Sequence, residues 1–205
     1  LLIGSRFNAQ DICKDIPADQ IDPQFQEDIS RMEQYYDFMA KKLLDKPSNY
    51  LNFEIVKVIE VPSGLNNYFG EGKTDYDILN YLSTKCGINT QEFDIIILPT
   101  TVAQMGESAG WALNIGDGKV ELYEKGNVPT LIHETGHLFG CSDLYTGMGG
   151  KLQWGKTLYG DYRNEAYNLI SQGKINELPL KTFQVCRGEM GWTDLNNNGI
   201  TDIEE

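Results

Sequence analysis

The sequence predicts an α/β (α+β) sandwich: a mixed twisted sheet with a backing helix, a second helix that carries the chemistry, and a small C-terminal subdomain. Three observations predict it. Apolar residues recur at helical spacing in separate segments, the stretches between them alternate or run apolar as strands do, and Pro, Asp, Asn and Gly mark the changes of period. With 205 residues, 40% of them apolar, the chain can fill one core, as one domain or one domain with a small appendage.

Leu1-Leu2-Ile3-Gly4 reads as the end of a strand, and a chain opening this way suggests a processed protein whose export signal lies outside it. With Asp22 as N-cap and Pro23 in the first turn, Phe25, Ile29, Met32, Tyr36, Met39 and Leu43 mark a long amphipathic helix to Leu44. Leu51, Phe53 and Ile55 then alternate with Asn52 and Glu54, and a β-branched run carries that strand to Val61; residues 64–72 form a loop. Tyr76, Ile78, Leu79 and Leu82 define a helix over residues 75–86, stopped by Gly87. Asp94-Ile95-Ile96-Ile97-Leu98 suits a central buried strand, closed by Pro99. Residues 110–115 and 120–123 are further strands joined by the turn Gly116-Asp117-Gly118. The last helix starts near Pro129, capped by Asn127 or Thr130, with Leu131, Ile132, Leu138 and Phe139 facing inward.

That helix holds both histidines of the chain, in His133-Glu134-Thr135-Gly136-His137-Leu138-Phe139-Gly140-Cys141-Ser142-Asp143. Two imidazoles four residues apart project from one helix face, so both can reach one zinc ion while Glu134 sits beside the metal's open position. With no third histidine, the remaining protein ligand is a carboxylate or the thiolate of Cys141. Asp143 competes with Glu165, which lies in Asn164-Glu165-Ala166-Tyr167-Asn168 and suits a ligand on a second helix, as in a thermolysin-like site. Gly140 favours Asp143: a left-handed residue there turns the chain back, whereas a continuing helix carries Asp143 away. The chemistry this set predicts is metal-assisted hydrolysis, with Glu134 as general base returning its proton to the leaving group. Tyr145, Tyr159 and Tyr162 each offer a phenol to a developing oxyanion, or fill a core or surface role.

The motif H-E-x-x-H-x-x-G-x-x-D resembles that of the metzincin clan of zinc peptidases, in the variant where aspartate replaces the third histidine, as in snapalysin. Its continuation through Leu144 and Tyr145 is also similar to immune inhibitor A-type peptidases, as is Cys186-Arg187-Gly188-Glu189-Met190-Gly191-Trp192. The resemblance covers residues 94–192. It implies a zincin-like catalytic domain over residues 1–192, zinc held by His133, His137 and Asp143, a polypeptide substrate, and a methionine turn beneath the zinc for which Met148 and Met190 are candidates. It also places Gly110, Trp111, Ala112 and Leu113 on the strand that rims the cleft, where an exposed edge binds extended peptide through its main chain. The plain alternative for Trp111 is a core aromatic.

A formal charge of −13 argues against nucleic-acid backbones and anionic membranes as partners, and either keeps the protein soluble or favours basic substrates. No run of 18 apolar residues is present, so no membrane-spanning segment is expected. Cys13, Cys86, Cys141 and Cys186 allow three pairings; Cys13–Cys86 with Cys141–Cys186 is favoured and points to a secreted or cell-surface protein, against four buried thiols in a cytosolic one. A monomer, or one part of a larger multidomain chain, is expected. Gly147-Met148-Gly149-Gly150-Lys151 is a flexible turn, since Tyr145 and Leu152 occupy positions where a phosphate loop needs Gly and Ser or Thr.

Residues 193–205 read as a calcium (Ca2+) loop. Asp194, Asn196, Asn198, Asp202 and Glu205 supply oxygens at positions 1, 3, 5, 9 and 12, Gly199 takes the sharp turn and Ile200 offers its carbonyl. The pattern resembles dockerin and extracellular calcium repeats, with a low ligand charge that suits weak affinity; the alternative is a solvated polar tail. Three functions follow: a secreted zinc endopeptidase, a non-catalytic metal-stabilised binding or adhesion module, and a zinc amidase of small peptides.

Overall fold

The computed structural model describes residues 2–8, 13–44, 53–62, 74–100, 110–112 and 118–140. In chain order these form β1 (Leu2–Asn8), β2 (Lys14–Asp15), α1 (Pro23–Leu44), β3 (Ile55–Pro62), α2 (Asp75–Cys86), β4 (Ile95–Thr100), β5 (Gly110–Ala112), β6 (Val120–Glu124) and α3 (Val128–Leu138). Short 3-10 turns lie at Ala18–Gln20 and Thr90–Glu92. The strands make one open, mixed sheet in the order β2-β3-β1-β4-β6-β5. β1 is parallel to β3 and β4, and β4 to β6, while the two edge strands run antiparallel to their neighbours. The mixed α/β architecture expected from the sequence is present.

The route of the chain explains which helix covers which face. From β1 it passes through α1 to β3 in one direction, then through α2 to β4 in the other. Right-handed crossovers of opposite direction deliver their helices to opposite faces. Side chains agree: Ile59, Val61, Ile96, Leu98, Val120 and Leu122 meet Ile78, Tyr81 and Leu82 of α2. The intervening residues of β6, Glu121 and Tyr123, instead bond to Thr135 of α3 and Asp28 of α1.

Helix limits follow from local caps. Asp22 accepts the Gln24 amide at 2.9 Å, with Pro23 in the first helical position, as expected. Asp77 accepts the Thr74 amide at 3.0 Å at the start of α2, and Gly87, with φ 64°, ends it by donating to the Ser83 carbonyl. Phe25, Ile29, Met32 and Tyr36 of the expected stripe are buried, joined by Tyr35 and Asp28.

Four expectations need correction. Tyr76 is 73% exposed, and Tyr81 takes the core position, because three residues from Ile78 to Tyr81 keep one face of α2 whereas Tyr76 lies outside it. Pro99 does not close β4, which runs to Thr100. Ile96 donates to Lys119 and Thr100 accepts from Lys125, so even-numbered residues of β4 bond toward β6 and Pro99 faces β1, whose pairing with β4 ends at Ile96. No ladder bond is lost there. β1 extends to Asn8, through the polar residues Ser5 and Arg6 that hid its pattern. β3 starts at Ile55, with Phe53 and Glu54 outside the strand.

A disulfide joins Cys13 to Cys86, as expected, and ties the segment before β2 to the end of α2. Cys141 and Cys186 lie outside the described residues. Among the described residues no helix is long and apolar enough to cross a membrane.

Candidate metal centre

α3 carries the site and is buried along its whole length. Asn127 caps it, its side chain accepting the Thr130 amide at 3.3 Å, while Thr130 itself lies inside the helix. Pro129 fits in the first turn, where an amide hydrogen has no helical partner. Helix α1 holds α3 from one side: Tyr36 donates its hydroxyl to the Ile132 carbonyl at 2.8 Å and meets Phe139 edge to face. The edge of the sheet, β6 and β5, supports it from the other.

This cradle brings His133, Glu134 and His137 together. The two Nε2 atoms lie 3.1 Å apart, the rings cross at 80°, and the ligand atoms of the three residues all fall within 4.8 Å of one another. All three residues are buried. The group is placed to hold a metal ion. Helical spacing alone predicted this convergence, and the structure shows it.

The chain turns immediately after. Leu138 is the last helical residue, and Gly140, with φ 99°, donates to the His137 carbonyl at 2.9 Å. The left-handed residue expected at position 140 is there, at the point where the chain must leave the helix axis. Asp143, its rivals Glu165 and Cys141, the tyrosines at 145, 159 and 162, Met148, Met190, and the loop from Asp194 to Glu205 lie outside the described residues.

β5 occupies the sheet edge beside α3. Among the described residues no strand pairs with its outer side, and Gly110 of this strand lies beside Glu134. Trp111 packs its side chain against the α2-facing core, which makes it a core-bound aromatic. Gly110 and Ala112 alternate to the α3 face.

Glu121 is a residue that motif reading missed. It is fully buried beneath α3, where its Oε1 lies 3.0 Å from the Thr135 hydroxyl and its Oε2 has no hydrogen-bond partner among the described residues. Burial pushes its carboxyl well above the usual carboxylate range; the Thr135 hydroxyl opposes this and the neighbouring Glu134 charge adds to it. Thr135 also lies 2.8 Å from the Leu131 carbonyl, so its hydroxyl is shared between the helix backbone and the Glu121 carboxyl. A charged residue type inside the apolar run Val120-Glu121-Leu122-Tyr123 was the available signal.

A group whose pKa is raised on folding contributes stability that is complete below its unfolded pKa and is lost as pH rises through the folded one. Glu121→Gln removes that loss. The variant is therefore expected to gain on the wild type by about 1.4 kcal/mol per pH unit from about pH 4.5 up to the folded pKa. Asp75, also raised by burial, is common to both proteins and cancels in the difference. Urea midpoints measured at pH 5 and pH 8 check this; a difference that does not grow with pH rejects it.

No protein-family model, curated protein or solved structure matches this chain.

Proposed function

We propose that the chain is a secreted zinc endopeptidase of zincin-like, metzincin-type fold, in which His133, His137 and Asp143 hold the metal and Glu134 is the general base. The observation that carries this reading is the convergence of His133, Glu134 and His137 on one face of a buried helix beside β5, whose outer side pairs with no strand among the described residues. His133 and His137 would hold the zinc through their Nε2 atoms, which lie 3.1 Å apart. Gly140 supports Asp143 as the third ligand, since its turn stops the helix from carrying that carboxylate away.

A bound zinc supplies Lewis acidity, lowering the pKa of water to about 7 and polarising the scissile carbonyl. Glu134 accepts the proton of the attacking water and returns it to the leaving amine. The backbone of Gly110, Trp111 and Ala112 aligns an extended polypeptide by main-chain pairing, a role that leaves the Trp111 side chain in the core. The Cys13–Cys86 disulfide supports an oxidising, extracytoplasmic location. Residues 194–205 supply a weak calcium site suited to that environment.

Metal analysis together with digestion of a peptide library tests the reading. One zinc per chain is expected, with cleavage abolished by a chelator and restored by added zinc. Zinc without cleavage assigns the chain to the metal-stabilised binding modules, and cleavage of very short substrates alone assigns it to the amidases.

A further inference from the structure

Gly110 is not a glycine for the sake of its backbone. The described glycines with positive φ are Gly87, Gly126 and Gly140, so a residue with a side chain could adopt the conformation at position 110. Space is what forbids one. A Cβ built on Gly110 would lie 2.4 Å from Thr130 Cγ2, 2.8 Å from Glu134 Oε1 and 2.9 Å from Glu134 Cγ. Thr130 and Glu134 are one helical turn apart on α3, and together with the bare backbone of β5 they form a slot in which the Glu134 side chain lies directly against the strand.

The two walls of this slot differ in how far they can move. Thr130 is buried and β-branched, so its methyl group is fixed in the first turn of α3. Glu134 is unbranched and has three side-chain torsions, which makes its carboxylate the group that yields when position 110 gains a side chain. That response changes the distance between the general base and the edge that aligns the substrate.

We propose that Gly110 is a positioning residue, the absence of its side chain setting the Glu134 carboxylate between the metal-binding histidines and the β5 main chain. This rests on the zinc-hydrolase reading for its catalytic consequence and on the geometry alone for the placement. A displacement of the base by about 1 Å lowers turnover by about 10–100-fold. Binding of metal is expected to be unaffected, because the three atoms nearest the new methyl group belong to Thr130 and Glu134 rather than to a histidine.

The test is Gly110→Ala made together with Thr130→Ser, in the zinc-loaded protein, with Thr130→Ser alone as reference. Serine removes Cγ2 and with it the closest clash with the helix, so folding is retained while the approach to Glu134 remains. Three quantities are read: zinc affinity, kcat and KM on a peptide substrate, and the carboxyl 13C resonance of Glu134, assigned by its disappearance in Glu134→Gln. The expected result is unchanged zinc affinity, unchanged KM, kcat lower by about 10–100-fold, and a displaced Glu134 resonance. An unmoved resonance, a kcat within about twofold of the reference, or a loss carried by KM alone overturns the proposal. Should the reference hydrolyse no peptide at all, the hydrolase reading falls, and the Glu134 resonance still decides whether Gly110 sets the placement of that carboxylate.

Discussion

In the proposed peptidase, Glu134→Gln lowers kcat by about 10²–10⁴-fold while zinc content and unfolding midpoint stay at wild-type values. Glutamine has the same shape as glutamate and fits the slot between Thr130 and Gly110, so α3 and its two histidines keep their positions. What it lacks is the ability to take a proton from water at neutral pH. The absence of any third histidine sharpens the test, because the chain holds no other imidazole to substitute as base. Turnover of a casein-like substrate, measured beside zinc content by atomic absorption, gives both readouts on one sample. Glu134→Ala should be equally inactive. Turnover retained by either variant would remove Glu134 from the mechanism, and zinc lost from the glutamine variant would make it a ligand instead.

The parts of this molecule that were legible in the sequence are those whose causes are local. Asp22 with Pro23, and Gly87, mark helix ends because the capping groups are neighbours of the amides and carbonyls they satisfy. His133 and His137 are legible for the same reason, since one helical turn alone brings their nitrogens together. The illegible features depend on partners distant in the chain. Pro99 continues its strand because β1, some ninety residues earlier, no longer pairs beside it, and nothing in its flanking sequence says so. Tyr76 and Tyr81 both fit a helical apolar stripe, and the sheet face that α2 covers decides between them. Glu121, and the reason position 110 is a glycine, escaped notice because one is explained by a hydroxyl on α3 and the other by a carboxylate there.

Asp28 belongs to that second class, and its removal has the largest expected effect on stability. It sits in the apolar stripe of α1, with no exposed surface, where a leucine would be the ordinary residue. Its carboxylate accepts from the Tyr123 hydroxyl at 2.7 Å, the Gly126 amide at 2.8 Å and the Gln24 side chain at 2.9 Å. Burial, with the Asp28 charge beside it, raises the Tyr123 phenol far above its usual range and keeps it a donor. Gly126, with φ 89°, stands in the turn that delivers Asn127, the cap of α3, so this carboxylate anchors the approach to the helix that carries the candidate metal centre. Asp28→Ala leaves the buried Tyr123 phenol without an acceptor, at about 1–3 kcal/mol, and removes the acceptor of the exposed Gly126 amide, at about 1 kcal/mol, so it is expected to cost about 2–4 kcal/mol in all. That is a large share of the ~5–15 kcal/mol that holds a domain together.

Asp28→Asn should behave differently, and the contrast carries the test. Tyr123 and Gly126 both bond to Oδ2, whereas Gln24 bonds to Oδ1. An asparagine with its oxygen at the Oδ2 position keeps both of these donors satisfied and turns its amide nitrogen toward Gln24. The Gln24 side chain is exposed and can rotate to present its own oxygen. The asparagine variant is therefore expected to lose about 1 kcal/mol, the difference between charged and neutral acceptors. Urea denaturation of the two variants measures the gap directly. Equal destabilisation by alanine and asparagine would mean that the negative charge, rather than acceptance of the Tyr123 and Gly126 hydrogens, is what fixes α1 to the turn before α3.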